Sequence, residues 1–219
     1  MSSGYSQLHF KFFEEEKYNP QDYIVGQVNT IAYNKIVNWS ESWNSKFFPY
    51  FLLLYGPKLS GKTHLAQIWS KKTNAIFLKR FTQEYNQHIV IEDIDNIIGY
   101  SKECDLLHAF NLCNENKNYC LFTSKTFPLK FQLDDLSSRI NSIDRVNISY
   151  PDFEMKKVIL RKEFTKLYLQ VDQKIIDFLS DIIPSTFEAI KFAVEKINKS
   201  AMSEGKKMSL NFIKSLFSK

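Results

Sequence analysis

The sequence predicts an α/β fold: a parallel sheet sandwiched by helices, followed by a small all-helical subdomain. Short, wholly apolar runs at residues 51–55 and 89–91 have the composition of strands buried on both faces. Stretches with helical spacing separate these runs, an alternation typical of parallel sheets. Only amphipathic helical patterns follow in the last third of the chain. We expect an N-terminal arm over residues 1–18, an α/β subdomain over 19–150 and a helical lid subdomain over 151–219.

The individual elements are placed by their apolar spacing and by capping residues. Apolar runs predict strands at 51–55, 75–78, 89–91 and 119–123, and residues 146–148 (Val-Asn-Ile) are expected to form a last brief strand. Apolar residues three and four apart predict helices at 29–43, 62–71, 103–114, 133–140, 152–168, from 172 onward, after Ser185 and at 210–217. Ser185 is expected to be the N-cap of its helix, because its hydroxyl can accept a bond from a free backbone N–H.

Composition favours an ordered chain without a membrane segment. A hydrophobic fraction of 44% supports a core, and a net charge of +5 is explained by lysines on solvated helix faces. The chain opens with polar residues, and its longest apolar run, residues 47–55, is interrupted by Pro49. The three cysteines form no CxxC pair, which indicates free thiols in a reducing compartment. We therefore expect a cytoplasmic protein with no membrane partner.

Residues 56–63 match the phosphate-binding pattern GxxxxGK[ST], and they lie between a buried strand and a helix. In such a loop the backbone N–H groups and the helix N-terminus surround the phosphates. Lys62 would neutralise the β- and γ-phosphate charge, and the Thr63 hydroxyl would hold Mg²⁺. The expected cofactors are ADP or ATP with Mg²⁺. The nucleotide contacts predicted in this loop are Gly56, Pro57, Ser60, Gly61, Lys62 and Thr63.

Acidic residues follow the second buried strand. Glu92 and Asp93 come directly after residues 89–91, at the edge of the sheet where the phosphate loop also begins. One carboxylate would bind Mg²⁺, for which Glu92 joins Thr63 as a predicted ligand, and the other would orient the attacking water. Asp95 is an alternative for either role. Glu92 and Asp93 are thus candidate catalytic residues.

Two further groups have both a functional and an ordinary interpretation. Thr123, with Ser124 beside it, ends the next strand, where a hydroxyl can reach the γ-phosphate or simply terminate a strand. Arg139 lies on the helix before the last strand. It could reach the triphosphate of a neighbouring subunit, although its chemistry alone favours a surface salt bridge.

The order of these motifs resembles that of the DnaA-related AAA+ family. Residues 22–29 (DYIVGQVN) resemble the family's opening motif, residues 56–65 its phosphate loop and residues 91–95 its Walker B strand. Leu121 to Ser124 with Pro128, and residues 133–140, complete the series, so that the resemblance covers roughly residues 19–200. It implies an AAA+ fold, additional nucleotide contacts from Ile24, Val25 and His64, and an intersubunit arginine finger at Arg139.

Within this family an AAA+ core alone resembles the Hda-type regulators, which inactivate the initiator after replication has begun. Residues 7–12 look like their clamp-binding peptide, with Gln7, Leu8, Phe10 and Phe12 as the expected contacts. The resemblance implies two partners, the DnaA initiator and the DNA polymerase III sliding clamp (beta subunit). DNA would be reached indirectly through the clamp, and self-association is left open.

Other functions share many of these motifs. A helicase-loader-type ATPase would have the same core, and an adaptor could bind nucleotide without hydrolysing it. A small-molecule kinase would lack the helical lid and the Ser-Arg helix. Two positions depart from the family: Ser185 aligns with the lid arginine that senses nucleotide, and Lys125 stands where an acidic residue is common. No arginine follows Arg161, so hydrolysis by this chain itself is not an expectation.

Overall fold

A computed structural model describes residues 20–43, 45–82, 84–205 and 207–217. Five parallel strands form one sheet in the order β2-β3-β4-β1-β5. The strands are β1 (Phe51–Tyr55), β2 (Ile76–Phe77), β3 (Ile89–Ile91), β4 (Cys120–Ser124) and β5 (Asp144–Asn147). The carboxyl ends of β1, β3 and β4 are therefore neighbours, because β4 lies between the other two. The predicted parallel α/β sheet is confirmed.

Nine α-helices occur in the described part of the chain, and two short 3-10 turns lie at Pro20–Asp22 and Ile94–Asn96. The helices are α1 (Thr30–Val37), α2 (Trp39–Ser42), α3 (Lys62–Thr73), α4 (Tyr100–Glu115), α5 (Asp134–Ser142), α6 (Phe153–Lys166), α7 (Gln173–Ile182), α8 (Phe187–Glu204) and α9 (Leu210–Phe217). None of these described helices has the length and apolarity to cross a bilayer.

The sheet has an apolar core on each face. Phe51 and Leu53 of β1 enter one core, where Phe51 stacks on Phe110 of α4 with ring centroids 4.0 Å apart. Leu52 and Leu54, which point the other way, enter the second core with helices α1 and α3. Successive side chains of a strand face opposite sides, so a strand covered on both faces must be apolar throughout. This explains the unbroken apolar run.

Three sequence predictions need correction. The helix expected over 29–43 is two helices, because the chain turns at Asn38 and brings Trp39 and Trp43 onto Trp69. The last strand is Asp144–Asn147 rather than 146–148. It begins with charged residues because it is an edge strand with one partner. Thr186, not Ser185, caps α8, and its hydroxyl accepts a bond from Ala189 N at 3.1 Å.

Helices α6 to α9 pack around their own apolar core, which includes Leu160, Phe164 and Ile190. Ile159 packs against this core and also against the sheet core, so the helices are docked on the sheet. The buried Lys156 donates to the carbonyl oxygens of Ser180 and Ile183 at 2.7 and 2.8 Å. It thereby supplies partners for carbonyls at the end of α7 and fixes the turn into α8. The boundary near residue 150 stays a prediction.

Candidate functional site

A cleft of about 600 Å³ opens at the carboxyl ends of β1, β3 and β4, below helices α6 and α8. Ligands of parallel α/β proteins bind at this edge of the sheet. The cleft is lined by Asp22, Tyr23, Ile24, Asn29, Lys58, Leu59, Ser60, Gly61, Lys62, Thr63, His64, Asp93, Lys125, Met155, Ile159, Lys162, Glu163, Lys166, Phe187 and Lys191. Six of these residues are lysines and three are acidic, so the cleft favours an anionic ligand.

Two glycines of the 56–63 loop are required by its packing. Gly61 has a φ of +94°, and a β-carbon there would lie 3.0 Å from Cε2 of Tyr23. A β-carbon at Gly56 would lie 2.5 Å from the carbonyl oxygen of Ile148, closer than real β-carbons approach backbone. At both positions the loop passes close to its neighbours, and a residue larger than glycine would prevent this close approach.

Lys62 is buried within this loop. Its Nζ donates to the carbonyl oxygens of Gly56 and Pro57 at 2.8 and 2.9 Å. Burial lowers the pKa of Lys62, and the nearby charges of Asp93 and Asp95 act in the opposite direction. The ammonium is thus held within the loop by two carbonyl oxygens, and Asp93 and Asp95 are the acidic residues near it.

Thr63 and Glu92 meet across the end of the sheet. The Thr63 hydroxyl donates to Oε1 of Glu92 at 2.5 Å, although 29 residues separate them. A hydroxyl and a carboxylate oxygen are the donor types that Mg²⁺ prefers. Among the described residues no group of three or more His, Cys, Asp or Glu side chains could hold a metal. Thr63 and Glu92 are the side chains that would hold Mg²⁺, with phosphate and water oxygens as its other ligands.

The other acidic residues are fixed by β4. Asp93 lines the cleft, and its backbone N–H donates to Oγ1 of Thr123 at 2.9 Å. Thr123 itself is buried and does not line the cleft. Its hydroxyl therefore holds the end of β3 in place, whereas the sequence suggested direct contact with phosphate. Asp95 accepts from the backbone N–H of Lys125 at 3.1 Å.

Residues 22–29 form the wall beside the loop, and Asn29 organises them. Its Oδ1 accepts from Gly26 N at 2.8 Å, and its Nδ2 donates to Ile24 O at 2.8 Å and Tyr23 Oη at 3.1 Å. Sequence reasoning missed this role because an Asn before a helix normally indicates an N-cap. Here the side chain makes no cap bond and turns back instead.

The predicted contacts in and near this wall differ in position. Ile24 and His64 line the cleft, and the His64 ring meets Tyr23 edge to face at 5.2 Å. Val25 is 44% exposed and does not line the cleft. Gly56 and Pro57 contribute carbonyl oxygens to Lys62 rather than cleft surface.

Helices α6 and α8 supply basic residues that the sequence reasoning missed. Lys162 and Lys166 of α6 and Lys191 of α8 all line the cleft. The ammonium of Lys162 also donates to the carbonyl oxygen of Asp22, so it joins α6 to the wall formed by residues 22–29. Ser185 is exposed and does not line the cleft. The sequence did not predict these lysines, because helical spacing alone does not show which face of a helix meets the sheet.

Arg139 lies away from the cleft of its own chain. Its Nε donates to Oδ1 of Asp135 one turn earlier on α5, at 2.8 Å, and its side chain is 32% exposed. The guanidinium carbon is 6.0 Å from the ring centre of Phe110. Within one chain Arg139 is thus a surface ion pair. The predicted clamp contacts Gln7, Leu8, Phe10 and Phe12 lie outside the described residues.

Comparison with known proteins finds that the sequence is similar to replication initiators. No family model matches the sequence. The chain is 26% identical over 225 residues to the chromosomal replication initiator protein DnaA of Borrelia duttonii (strain Ly). It is 27% identical over 224 residues to DnaA of Borrelia turicatae (strain 91E135). Each match covers 87% of this chain and 46% of the relative, so the chain spans about half the length of these relatives.

Solved structures give the same result for the fold. Domain III of the Thermotoga maritima replication initiation protein DnaA superposes with a TM-score of 0.73 at 20% identity, covering 92% of this chain and 97% of that one. AMPPCP-bound DnaA from Aquifex aeolicus superposes with a TM-score of 0.65 at 20% identity, covering 87% and 68%. The predicted AAA+ fold is confirmed, and closeness to the Hda-type regulators stays a prediction. In sequence and in fold, the chain is similar to the AAA+ domain of the DnaA initiators.

Proposed function

We propose that this chain binds an adenine nucleotide with Mg²⁺ and is an Hda-like regulator of replication initiation. In this proposal it docks on the sliding clamp and promotes hydrolysis of ATP bound to the DnaA initiator. The observation that carries the proposal is the position of Arg139, whose side chain is partly exposed on α5 and lies outside the cleft of its own chain. Any nucleotide that Arg139 reaches must therefore belong to another subunit.

Nucleotide binding is supported by the two halves of the cleft. Met155, Ile159 and Phe187 give it an apolar part that suits a base, and the 56–63 loop gives it a part that suits phosphates. The pairing of Thr63 with Glu92 suits Mg²⁺. A related fold, DnaA from Aquifex aeolicus, has been solved with AMPPCP bound. ADP and ATP are both candidate ligands.

Action on a partner's nucleotide is supported by the weak attachment of Arg139. The ion pair of Arg139 with Asp135 lies at the surface and contributes only about 0–1 kcal/mol. Arg139 therefore loses little free energy when it leaves the Asp135 carboxylate for a triphosphate. A guanidinium also forms stronger, bidentate hydrogen bonds with phosphate oxygens. An arginine that reaches a transferring phosphoryl group in this way raises kcat by about 10³–10⁵-fold.

Clamp docking is supported by residues 7–12, whose Gln7, Leu8, Phe10 and Phe12 provide a hydrogen-bonding amide and apolar anchors. Short peptides of this kind bind preformed grooves through a few such anchors. A regulator tethered on a DNA-loaded clamp would meet the initiator at a high effective concentration. DNA contact would then be indirect.

The deciding experiment measures ATP hydrolysis by the DnaA initiator in the presence of clamp loaded on DNA. Addition of this chain should accelerate hydrolysis, and Arg139→Ala should remove about 99% or more of that acceleration, given the contribution of such arginines. Arg161→Ala is the matched control, because Arg161 is an exposed arginine on a different helix, α6. Equal stimulation by Arg139→Ala and wild type would refute the proposal.

Clamp docking is tested separately with a Gln7→Ala, Leu8→Ala double variant. Wild type should bind the isolated clamp with micromolar or tighter affinity, and the variant should not. A chain that ignores the clamp but binds helicase or single-stranded DNA would instead support the loader-type ATPase. Absence of any change in melting temperature on adding ADP or ATP would favour the adaptor, because a bound ligand stabilises the folded state.

A further inference from the structure

We propose that a groove beside the start of α5 binds an arginine side chain of a protein partner. The groove, which we call the α5 groove, has a volume of about 360 Å³. It lies between residues 95–98, which follow β3, and residues 129–132, which precede α5, and Glu103 of α4 also lines it. No described residue lines both this groove and the nucleotide cleft. The α5 groove is therefore a site of its own, separate from nucleotide binding.

Glu103 brings a nearly buried carboxylate to the α5 groove. The residue is 3% exposed, and its Oε2 accepts from Leu133 N at 3.0 Å. Among the described residues no other group donates to this carboxylate. A buried carboxylate normally has several of its lone pairs satisfied by donors, because water no longer supplies them. Oε1 of Glu103 is therefore available to a donor that enters the groove.

The other charged residues of the α5 groove do not neutralise Glu103. Asp95 is already engaged with Lys125, whose backbone N–H donates to its Oδ1 at 3.1 Å and whose Nζ lies 3.6 Å from its Oδ2. Lys130 lines the groove but is exposed. The ion pairs of the described residues include none between Lys130 and Glu103. With two acidic residues and one lysine, the groove favours a cationic ligand.

Apolar side chains line the α5 groove together with this carboxylate. Leu129 and Phe131 are buried, and Ile97 and Ile98 lie across from them on the segment that follows β3. An arginine side chain has an apolar stem and a weakly hydrated guanidinium, so its stem can pack on these residues while its head reaches Glu103. A lysine ammonium is more strongly hydrated and loses more when it leaves water. The lining therefore suits arginine.

The surface next to the α5 groove indicates that the arginine belongs to a protein. Ile98 and Tyr100 are 73% and 64% exposed. Gly99 between them has a φ of +102°, and a β-carbon added there would meet nothing within 4 Å. A partner chain can approach such an open backbone closely and cover the apolar side chains on both sides of it. Tyrosine and arginine are also enriched in the cores of protein interfaces. The ligand is thus an arginine with an apolar neighbour that contacts Ile98.

The test adds three synthetic probes to the full chain: acetyl-Leu-Arg-amide, the same dipeptide with citrulline for arginine, and free n-butylguanidinium. NMR follows the backbone amide shifts of residues 97–103 and 129–133. The arginine dipeptide should shift these amides with a dissociation constant in the millimolar range. The citrulline dipeptide has nearly the same shape without the charge. It should bind about tenfold or more weakly, because a hydrogen bond between charged groups contributes about that factor.

Two variants of the chain test the two parts of the α5 groove. Glu103→Gln should weaken binding of the arginine dipeptide about tenfold or more. The glutamine oxygen can still accept from Leu133 N, so the fold is retained, and a thermal melt checks this. Glu115→Gln is the matched control, because Glu115 is an exposed glutamate at the other end of α4. Ile98→Ser changes an exposed residue and should weaken the dipeptide several-fold without affecting butylguanidinium.

The possible results are distinct. Loss of dipeptide affinity in Glu103→Gln, with Glu115→Gln unchanged, supports an arginine site. Amide shifts confined to other parts of the chain, or equal binding of the arginine and citrulline dipeptides, would overturn it. Equal affinities for butylguanidinium and the arginine dipeptide would overturn the assignment to a protein partner, because the apolar neighbour would then add nothing. None of these results bears on nucleotide binding or on Arg139, which depend on other residues.

Discussion

Replacing Asn29 by alanine should both destabilise the chain and weaken nucleotide binding. The change removes three hydrogen bonds and leaves Gly26 N and Ile24 O without the partners that Asn29 provides. Asn29 is 5% exposed, so water does not readily replace them. Each such bond contributes about 1 kcal/mol, and an unpaired buried group costs about 1–3 kcal/mol. We expect the free energy of unfolding to fall by about 3 kcal/mol.

Urea titration gives this free energy, and a thermal melt should show the midpoint lowered by about 6–12 °C for a domain of this size. Asn34→Ala is the matched control, because Asn34 is an exposed asparagine on α1, and an exposed substitution changes stability by about 0.5 kcal/mol or less. ADP affinity should fall in Asn29→Ala and stay unchanged in Asn34→Ala, because Tyr23 and Ile24, the partners of Asn29, line the cleft. A loss of stability no greater than that of Asn34→Ala, with unchanged ADP affinity, would refute the reasoning.

Three other changes test separate features. Glu92→Gln and Thr63→Val should each reduce the dependence of ATP binding on Mg²⁺ concentration, measured by titration with and without the metal, because each removes one oxygen of the pair. Burial lowers the pKa of Lys62 in the folded chain. At pH values between this lowered pKa and the ordinary value of 10.5, the unfolded chain therefore binds more protons than the folded chain. Stability should therefore rise with pH across that window, and less so in Lys62→Met, as urea titrations at several pH values would show. Trp69→Phe should cost less stability in thermal melts than Trp43→Phe. Among the described residues Nε1 of Trp69 has no hydrogen-bond partner, while that of Trp43 donates to Lys35 O at 3.2 Å.

Local patterns were enough to predict the sheet and its phosphate loop. Leu52 and Leu53 face different cores, and an unbroken apolar run is the direct result of that double burial. The glycines at 56 and 61 are required by close packing within the loop and its neighbours, so the motif itself carried the information. The order of motifs along the chain then identified which strand ends meet.

Features that depend on contacts between distant segments were not predicted. Asn29 resembles a helix cap in sequence, and only the folded chain shows its amide turned towards Gly26 and Ile24. The contribution of Lys191 depends on how α8 is placed over the sheet, which is set by the turn that Lys156 holds. A one-dimensional pattern does not contain these distances.

The bond between Thr63 and Glu92 has a consequence for the thermodynamics of metal binding. A threonine hydroxyl has lone pairs besides its proton, so it can face a cation while it still donates to the carboxylate. The rotamers that these two side chains already adopt would then also suit a bound metal. Little conformational entropy remains to be lost when Mg²⁺ arrives, because folding has already ordered both side chains. Uptake of the ion would then be governed by the phosphates that accompany it.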